Sequence, residues 1–198
     1  LCRCLTGSKA LVLPGLMHAM WFGTQWSRKF CMLITGSNSL HKMMQIPPAA
    51  EIEVQYAISQ PALPEAAQLR AWAVAALPMD ASAVEVVIRI VDEAESRMLN
   101  ARYRGKDAPT NVLSFPFEAP AGVETRHLGD LVICAQVGER EAAQQGKNPL
   151  HHWAHMVVHG MLHLGGLDHQ TDADAGYMEL QEKQILARFG IDDPYRVN

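Results

Sequence analysis

From residue 50 onward, apolar positions recur with two periods, and each period marks out an element. Glu51–Ile58 alternates, with Ile52, Val54, Tyr56 and Ile58 on one side, as in a half-buried strand. Leu63-Pro64-Glu65 opens a helix with Pro64 in its first turn, and Leu69, Trp72, Ala76 and Leu77 recur at helical spacing up to Pro78. Val84–Val91 is almost continuously apolar and β-branched, the composition of a strand covered on both faces. Asp92 caps a following helix that has Glu95 at its third position and Met98 and Leu99 beyond. Asn111–Phe115 and Asp130–Ala135 read as two more strands, separated by a Pro- and Gly-containing loop from Pro116 to Leu128. Gln136–Gln145 is a polar helix ended by Gly146. Pro149 starts another, which runs to Leu164 and stops at Gly165-Gly166. Thr171 with Asp174 caps a last helix, whose stripe is Met178, Ile185, Leu186 and Phe189 and which Gly190 ends. Four short strands among about five helices, without strict alternation, predict an α/β domain of the α+β type. It holds a small, mostly parallel, four-stranded mixed sheet packed by helices.

Composition divides the chain near residue 48. Of its 17 basic residues, five (Arg3, Lys9, Arg28, Lys29, Lys42) precede Met44 without a single acid, leaving 12 against 21 acidic residues in the remainder. No apolar run in this first part reaches the roughly 18 to 20 residues of a membrane span. Residues 1–48 therefore read as an N-terminal extension to a domain at 49–198. Three readings of it stand: a targeting leader, a poorly ordered extension, or translation upstream of a start at Met43 or Met44. Cys2-x-Cys4 has no second pair at finger spacing, and Cys134 alone in the main body makes no disulfide framework, which suits a cytoplasmic protein. The formal charge of −4 excludes a chain coated in basic residues for blanket nucleic-acid binding, although not a local basic groove.

Candidate chemistry is concentrated in histidine. Of nine histidines, six lie after Leu150, and His151, His155, His159 and His163 follow one another at intervals of four on one helix. Neighbours at that spacing have Cβ atoms about 5–6 Å apart and can share an ion. His155 and His163, about 12 Å apart along the axis, cannot. The pairs His155/His159 and His159/His163 thus compete. Gly165-Gly166 favours the second by letting the chain turn back and bring His169 to the end of the helix. His159, His163 and His169 then make a three-nitrogen site at the C-terminal helix turn, with a fourth position for water, as in catalytic zinc. His151 and His152 read as solvent-side, His155 as a core or supporting histidine, and His127 as a loop residue.

The string His159-Gly-Met-Leu-His163-Leu-Gly-Gly-Leu-Asp168-His169 resembles the HGxLHLxGxDH signature of the YbeY family. Two further blocks agree in order and spacing: Leu99-Asn100 through Tyr103-Arg104-Gly-Lys106-Asp to Pro109-Thr-Asn-Val-Leu-Ser-Phe-Pro-Phe117, and Leu128-Gly-Asp-Leu-Val-Ile133. The likeness runs from about Glu51 to the C-terminus and has no counterpart for Leu1 to about Met44. It implies a zinc-dependent, single-strand-specific endoribonuclease with one Zn²⁺ per chain. Such an enzyme acts on ribosomal RNA in small-subunit 3′-end maturation and ribosome quality control, with the small ribosomal subunit and its assembly factors as partners. By motif position it implies His159, His163 and His169 as metal ligands and Arg104 as the functional arginine.

The chemistry agrees with that implication. Zinc peptidases commonly carry a glutamate base directly after the first helical ligand, where this chain has Gly160. A phosphodiester reaction instead needs charge stabilisation at the phosphate, which a planar guanidinium supplies with two hydrogen bonds. Arg102 and Lys106 flank Arg104 as candidate RNA contacts, and Tyr103 either stacks on a base or packs in the core. Asp168 either supports a ligand histidine or shapes the turn before His169. Attack by water and attack by the ribose 2′-hydroxyl both remain open. A peptidase-like zinc hydrolase and a non-catalytic, zinc-stabilised assembly factor are the competing classes.

Overall fold

The most apolar run in the main body becomes a central strand. In the computed structural model, which describes residues 50–59, 62–78 and 83–196, it is β2 (Glu85–Val91), between β1 (Glu51–Tyr56) and β4 (His127–Cys134). The sheet order is β1-β2-β4-β3, with β3 (Val112–Pro116) at one edge. β2 runs parallel to both its neighbours, and only β3 is antiparallel, pairing Val112 with Ile133 and Pro116 with Gly129. This is the expected mostly parallel, four-stranded mixed sheet. The residues read as an N-terminal extension, including Cys2, Cys4, Met43 and Met44, lie outside the described residues.

Five helices cover the sheet: α1 (Ala66–Ala75), α2 (Glu93–Arg104), α3 (Ala135–Gln144), α4 (Pro149–Leu164) and α5 (Asp172–Ala187). Alternate strand residues serve opposite faces, as a period of two requires. Ile88, Ile90, Leu131 and Ile133 pack with Leu69 and Trp72 of α1, Trp153, Val157 and Met161 of α4, and Leu186 of α5. On the other face Leu113, Val132 and Cys134 meet Leu99 of α2 and Val137 of α3. Among the described residues, no helix is long and apolar enough to cross a membrane.

Several boundaries differ from the periodic reading, each for a local reason. α1 begins after Pro64, because Glu65 is its N-cap and the Gln68 side chain accepts the Glu65 backbone N–H at 2.9 Å. β4 starts at His127, inside the stretch read as a loop, since Phe117 N–H donates to the Leu128 carbonyl at 3.0 Å and continues the pairing outward. His127 is therefore a half-buried strand residue, with Nε2 3.4 Å from Asp130 Oδ1. Phe189 lies beyond the end of α5 and is exposed. Asp92 and Thr171 cap α2 and α5 as their spacing predicts, accepting N–H groups from Glu95 at 2.8 Å and Asp174 at 3.2 Å.

Two buried polar side chains fold the segment after α2 back along that helix. Ser96 Oγ donates to the Thr110 carbonyl at 2.8 Å and Asn100 Nδ2 to the Ala108 carbonyl at 2.7 Å. Arg104 is thereby held at the tip of α2, where Gly105 (φ 68°) closes the helix.

Candidate metal centre

α4 carries the histidines, and its seating on the sheet depends on the absence of a side chain at Gly160. A Cβ there would stand 2.2 Å from Leu131 Cδ1, and Ser114 Oγ of β3 donates to the Gly160 carbonyl at 3.1 Å. The position faces the sheet, so a glutamate there would collide with the core and could not serve as a peptidase base. Asn148 caps the N-terminus, its side chain accepting the Leu150 N–H at 2.9 Å, with Pro149 in the first turn. At the other end Gly166 (φ 89°) takes a left-handed conformation that reverses the chain towards His169.

The reversal brings His159, His163 and His169 together, with one potential ligand atom of each within 4.8 Å of the others. His159 Nε2 and His163 Nε2 are 3.2 Å apart. Two atoms each about 2.0–2.1 Å from a tetrahedral zinc lie roughly 3.3 Å apart, so this separation suits a shared ion. The other ring nitrogens face acceptors: His159 Nδ1 is 2.7 Å from Glu182 Oε1, and His163 Nδ1 is 2.9 Å from the Leu167 carbonyl. Those acceptors hold the Nδ1 protons and turn both Nε2 lone pairs inward, the tautomer that metal ligation requires. Burial, with the neighbouring His159 charge adding to it, lowers the His163 pKa to about 4, so this ring is neutral at physiological pH. The donor set therefore fits a borderline-soft divalent cation.

Outside the three imidazoles, Glu182 is the principal charged group, and periodicity alone does not reveal it. Its side chain is fully buried on α5 and accepts from His159 Nδ1, from His155 Nε2 at 3.0 Å and from the Tyr195 hydroxyl. Burial opposes its charge, but donation from His155 and His159 outweighs this and holds the carboxyl far below the usual range. Burial lowers the His155 pKa despite Glu182, leaving a neutral ring that donates. Tyr195 is pushed up by burial and by its bond to Glu182. The available signal was that Glu182 falls in the apolar stripe of the last helix, four residues after Met178 and three before Ile185.

Other predicted residues separate clearly. His152 is buried rather than solvent-side, because α3 supplies Glu141, whose Oε2 lies 3.1 Å from His152 Nε2. Asp168 spends its oxygens on its own turn, accepting from His169 N–H at 2.8 Å and Gln170 Nε2 at 2.7 Å. Burial is the largest single influence and raises its pKa, but these bonds and the adjacent His163 and His169 together outweigh it and lower the pKa overall. Tyr103 packs edge-on against Phe115 with ring centroids 5.2 Å apart, beside the core cluster of Leu99 and Leu113.

A cavity of about 540 Å³ opens onto His155, His159, His169 and Glu182, while His163 lies buried beneath. Arg102, Arg104 and Lys106 do not line it. Half-buried Arg104 follows Tyr103, which touches Phe115 of β3, whereas Leu164, next to His163, lies 3.0 Å from where a Gly129 Cβ would sit, beside Pro116. Phe115 and Pro116 are adjacent, so Tyr103 and Leu164, the neighbours of Arg104 and His163 in sequence, both reach the edge strand β3.

Residues 55–190 match the family described as Endoribonuclease YbeY. The chain belongs to the YbeY endoribonuclease family. An Endoribonuclease YbeY from Alkalilimnicola ehrlichii is 53% identical over 156 residues, covering 76% of this chain and 94% of that one. The solution structure of the Thermotoga maritima protein TM1509 shares 23% identity with a TM-score of 0.49, covering 73% of this chain and 99% of that one. YbeY membership makes the protein a nuclease of the hydrolase class and RNA its substrate class.

Proposed function

We propose that this YbeY protein is a zinc-dependent, single-strand-specific endoribonuclease with its working domain at 49–198. In this reading it acts in the cytoplasm on the 3′ end of 16S ribosomal RNA and in ribosome quality control, alongside the small subunit and its assembly factors. The observation that carries the reading is the convergence of three imidazoles beside an open cavity, in a chain of an endoribonuclease family. His159, His163 and His169 hold the ion. When bound, zinc supplies Lewis-acid chemistry, stabilising developing negative charge and lowering the pKa of water to about 7.

The protein's own residues do the remaining work. His159 and His169 line the cavity and present the site to substrate, and buried His163 anchors it from below. Arg104, at the C-terminal tip of α2, supplies a permanent cation for the scissile phosphate and can bond two of its oxygens at once. Arg102 and Lys106, both exposed, extend that charge along the RNA backbone.

Purified protein should contain one zinc per chain and cleave single-stranded RNA, with cleavage lost on chelation and restored by zinc. Digestion of casein in place of RNA would indicate a peptidase, and zinc binding without cleavage of either would indicate a non-catalytic assembly factor. Arg104→Ala should reduce RNA cleavage by about 10²–10³-fold with zinc content unchanged, the size of effect seen when one transition-state donor is removed. Unchanged cleavage would remove Arg104 from the site.

A further inference from the structure

Two overlapping sets of side chains in this site are each compact enough to hold an ion: His159/His163/His169 and His155/His159/Glu182. They share His159, so its orientation decides between them. Distances separate the two. The Nε2 atoms of His159 and His163, 3.2 Å apart, are spaced as two ligands on one tetrahedral zinc. Glu182 Oε1, at 2.7 Å from His159 Nδ1, is closer than two such ligands stand and has the length of a charge-assisted hydrogen bond. An ion in the second set would also require His159 to lose the Nδ1 proton that the carboxylate holds.

We infer that Glu182 is a positioning residue that selects the metal-binding pair on α4: it directs His159 Nε2 towards His163 and withdraws His155 from competition. The inference rests on the proposed metal-dependent reading of the same site. One carboxylate oxygen accepts from His159 Nδ1. The other accepts from His155 Nε2, the nitrogen that would otherwise be offered to an ion, and from the Tyr195 hydroxyl. The C-terminal segment secures this arrangement. Asp193 Oδ1 accepts the Tyr195 N–H at 2.9 Å, Asp193 Oδ2 pairs with Lys183 Nζ at 3.3 Å, and the Tyr195 ring stands edge-on to His155 at 5.4 Å. A ligand imidazole whose second nitrogen is held by a buried carboxylate binds metal more tightly, and loss of such a partner costs about 10–100-fold in affinity.

The test is zinc affinity of the full chain, measured by competition with a chromophoric chelator for wild type, Glu182→Gln and Tyr195→Phe. Nitrogen-15 NMR of the metal-free proteins reads the His159 tautomer in parallel. Wild type should bind one zinc and show His159 protonated at Nδ1. Glu182→Gln should weaken zinc binding by about 10–100-fold and mix the tautomers. Tyr195→Phe, which removes only a hydroxyl, should weaken binding by less than about tenfold. A folded Glu182→Gln protein with wild-type affinity and tautomer overturns the inference. So does a second zinc in wild type that Glu182→Gln abolishes, because Glu182 would then be a ligand. Should Glu182→Gln fail to fold, unchanged affinity in Tyr195→Phe overturns it instead. Wild type without tight zinc overturns the three-histidine reading itself, and the inference with it.

Discussion

The two halves of α4 carry histidines at the same helical interval, yet they form different chemistry. His155 and His159 are four residues apart, with ring centroids 6.1 Å apart, whereas His159 and His163, also four apart, close to 4.6 Å. In the first half each inward-facing ring meets a carboxylate: His152 meets Glu141 from α3, and His155 meets Glu182 from α5. In the second half the outer nitrogen of each ring is bonded, to Glu182 for His159 and to the Leu167 carbonyl for His163, and the inner nitrogens face one another. Spacing nominates a ligand pair. The partner on each ring's far side decides whether the pair is used.

The largest break in that contrast should come from His163→Ala, which is expected to abolish stoichiometric zinc binding and RNA cleavage. His155→Gln, by comparison, should retain zinc with affinity reduced by at most about tenfold, as for loss of a supporting contact. Metal analysis of the two purified variants, with circular dichroism to check folding, makes the comparison. Equal loss in both would erase the distinction between the halves.

A smaller effect is expected where the helix crosses the sheet. Gly160→Ala puts a methyl group 2.2 Å from the Leu131 side chain, which is itself fully buried in the core. Overpacking of this kind costs about 1–3 kcal/mol, partly offset by about 1 kcal/mol from alanine's better helix propensity. Thermal unfolding should show Tm lower by a few degrees, at roughly 2–4 °C per kcal/mol for a domain of this size. A Tm above that of wild type would mean that α4 does not sit this close to β4, leaving only the helix-propensity gain. The smallest effect belongs to His151→Ala: among the described residues, no hydrogen bond ties this partly exposed side chain to the cluster. Stability should stay within about 0.5 kcal/mol and zinc affinity should not change.

Much of this architecture was legible in the order of residues. The run Val84–Val91 and the alternation after Glu51 located central and flanking strands, and Asp92, Pro149 and Thr171 marked helix starts that the structure reproduces. His159, His163 and His169 were legible as a group because the glycine turn is a local signal. Glu182 was not, since its partner His159 lies 23 residues away and meets it only once α5 packs on α4. His152 failed for the same reason: its burial depends on α3, which local polarity does not show. What escaped the sequence was tertiary pairing of buried polar groups, each satisfied by a residue from another element.

The ion is expected in the second half of α4, bound by His159, His163 and His169, with Glu182 outside the ligand set. Anomalous diffraction at the zinc absorption edge from zinc-loaded crystals tests this most directly. The predicted result is a single peak about 2 Å from Nε2 of His159 and His163 and from a ring nitrogen of His169. A peak between His155, His159 and a Glu182 oxygen would contradict it.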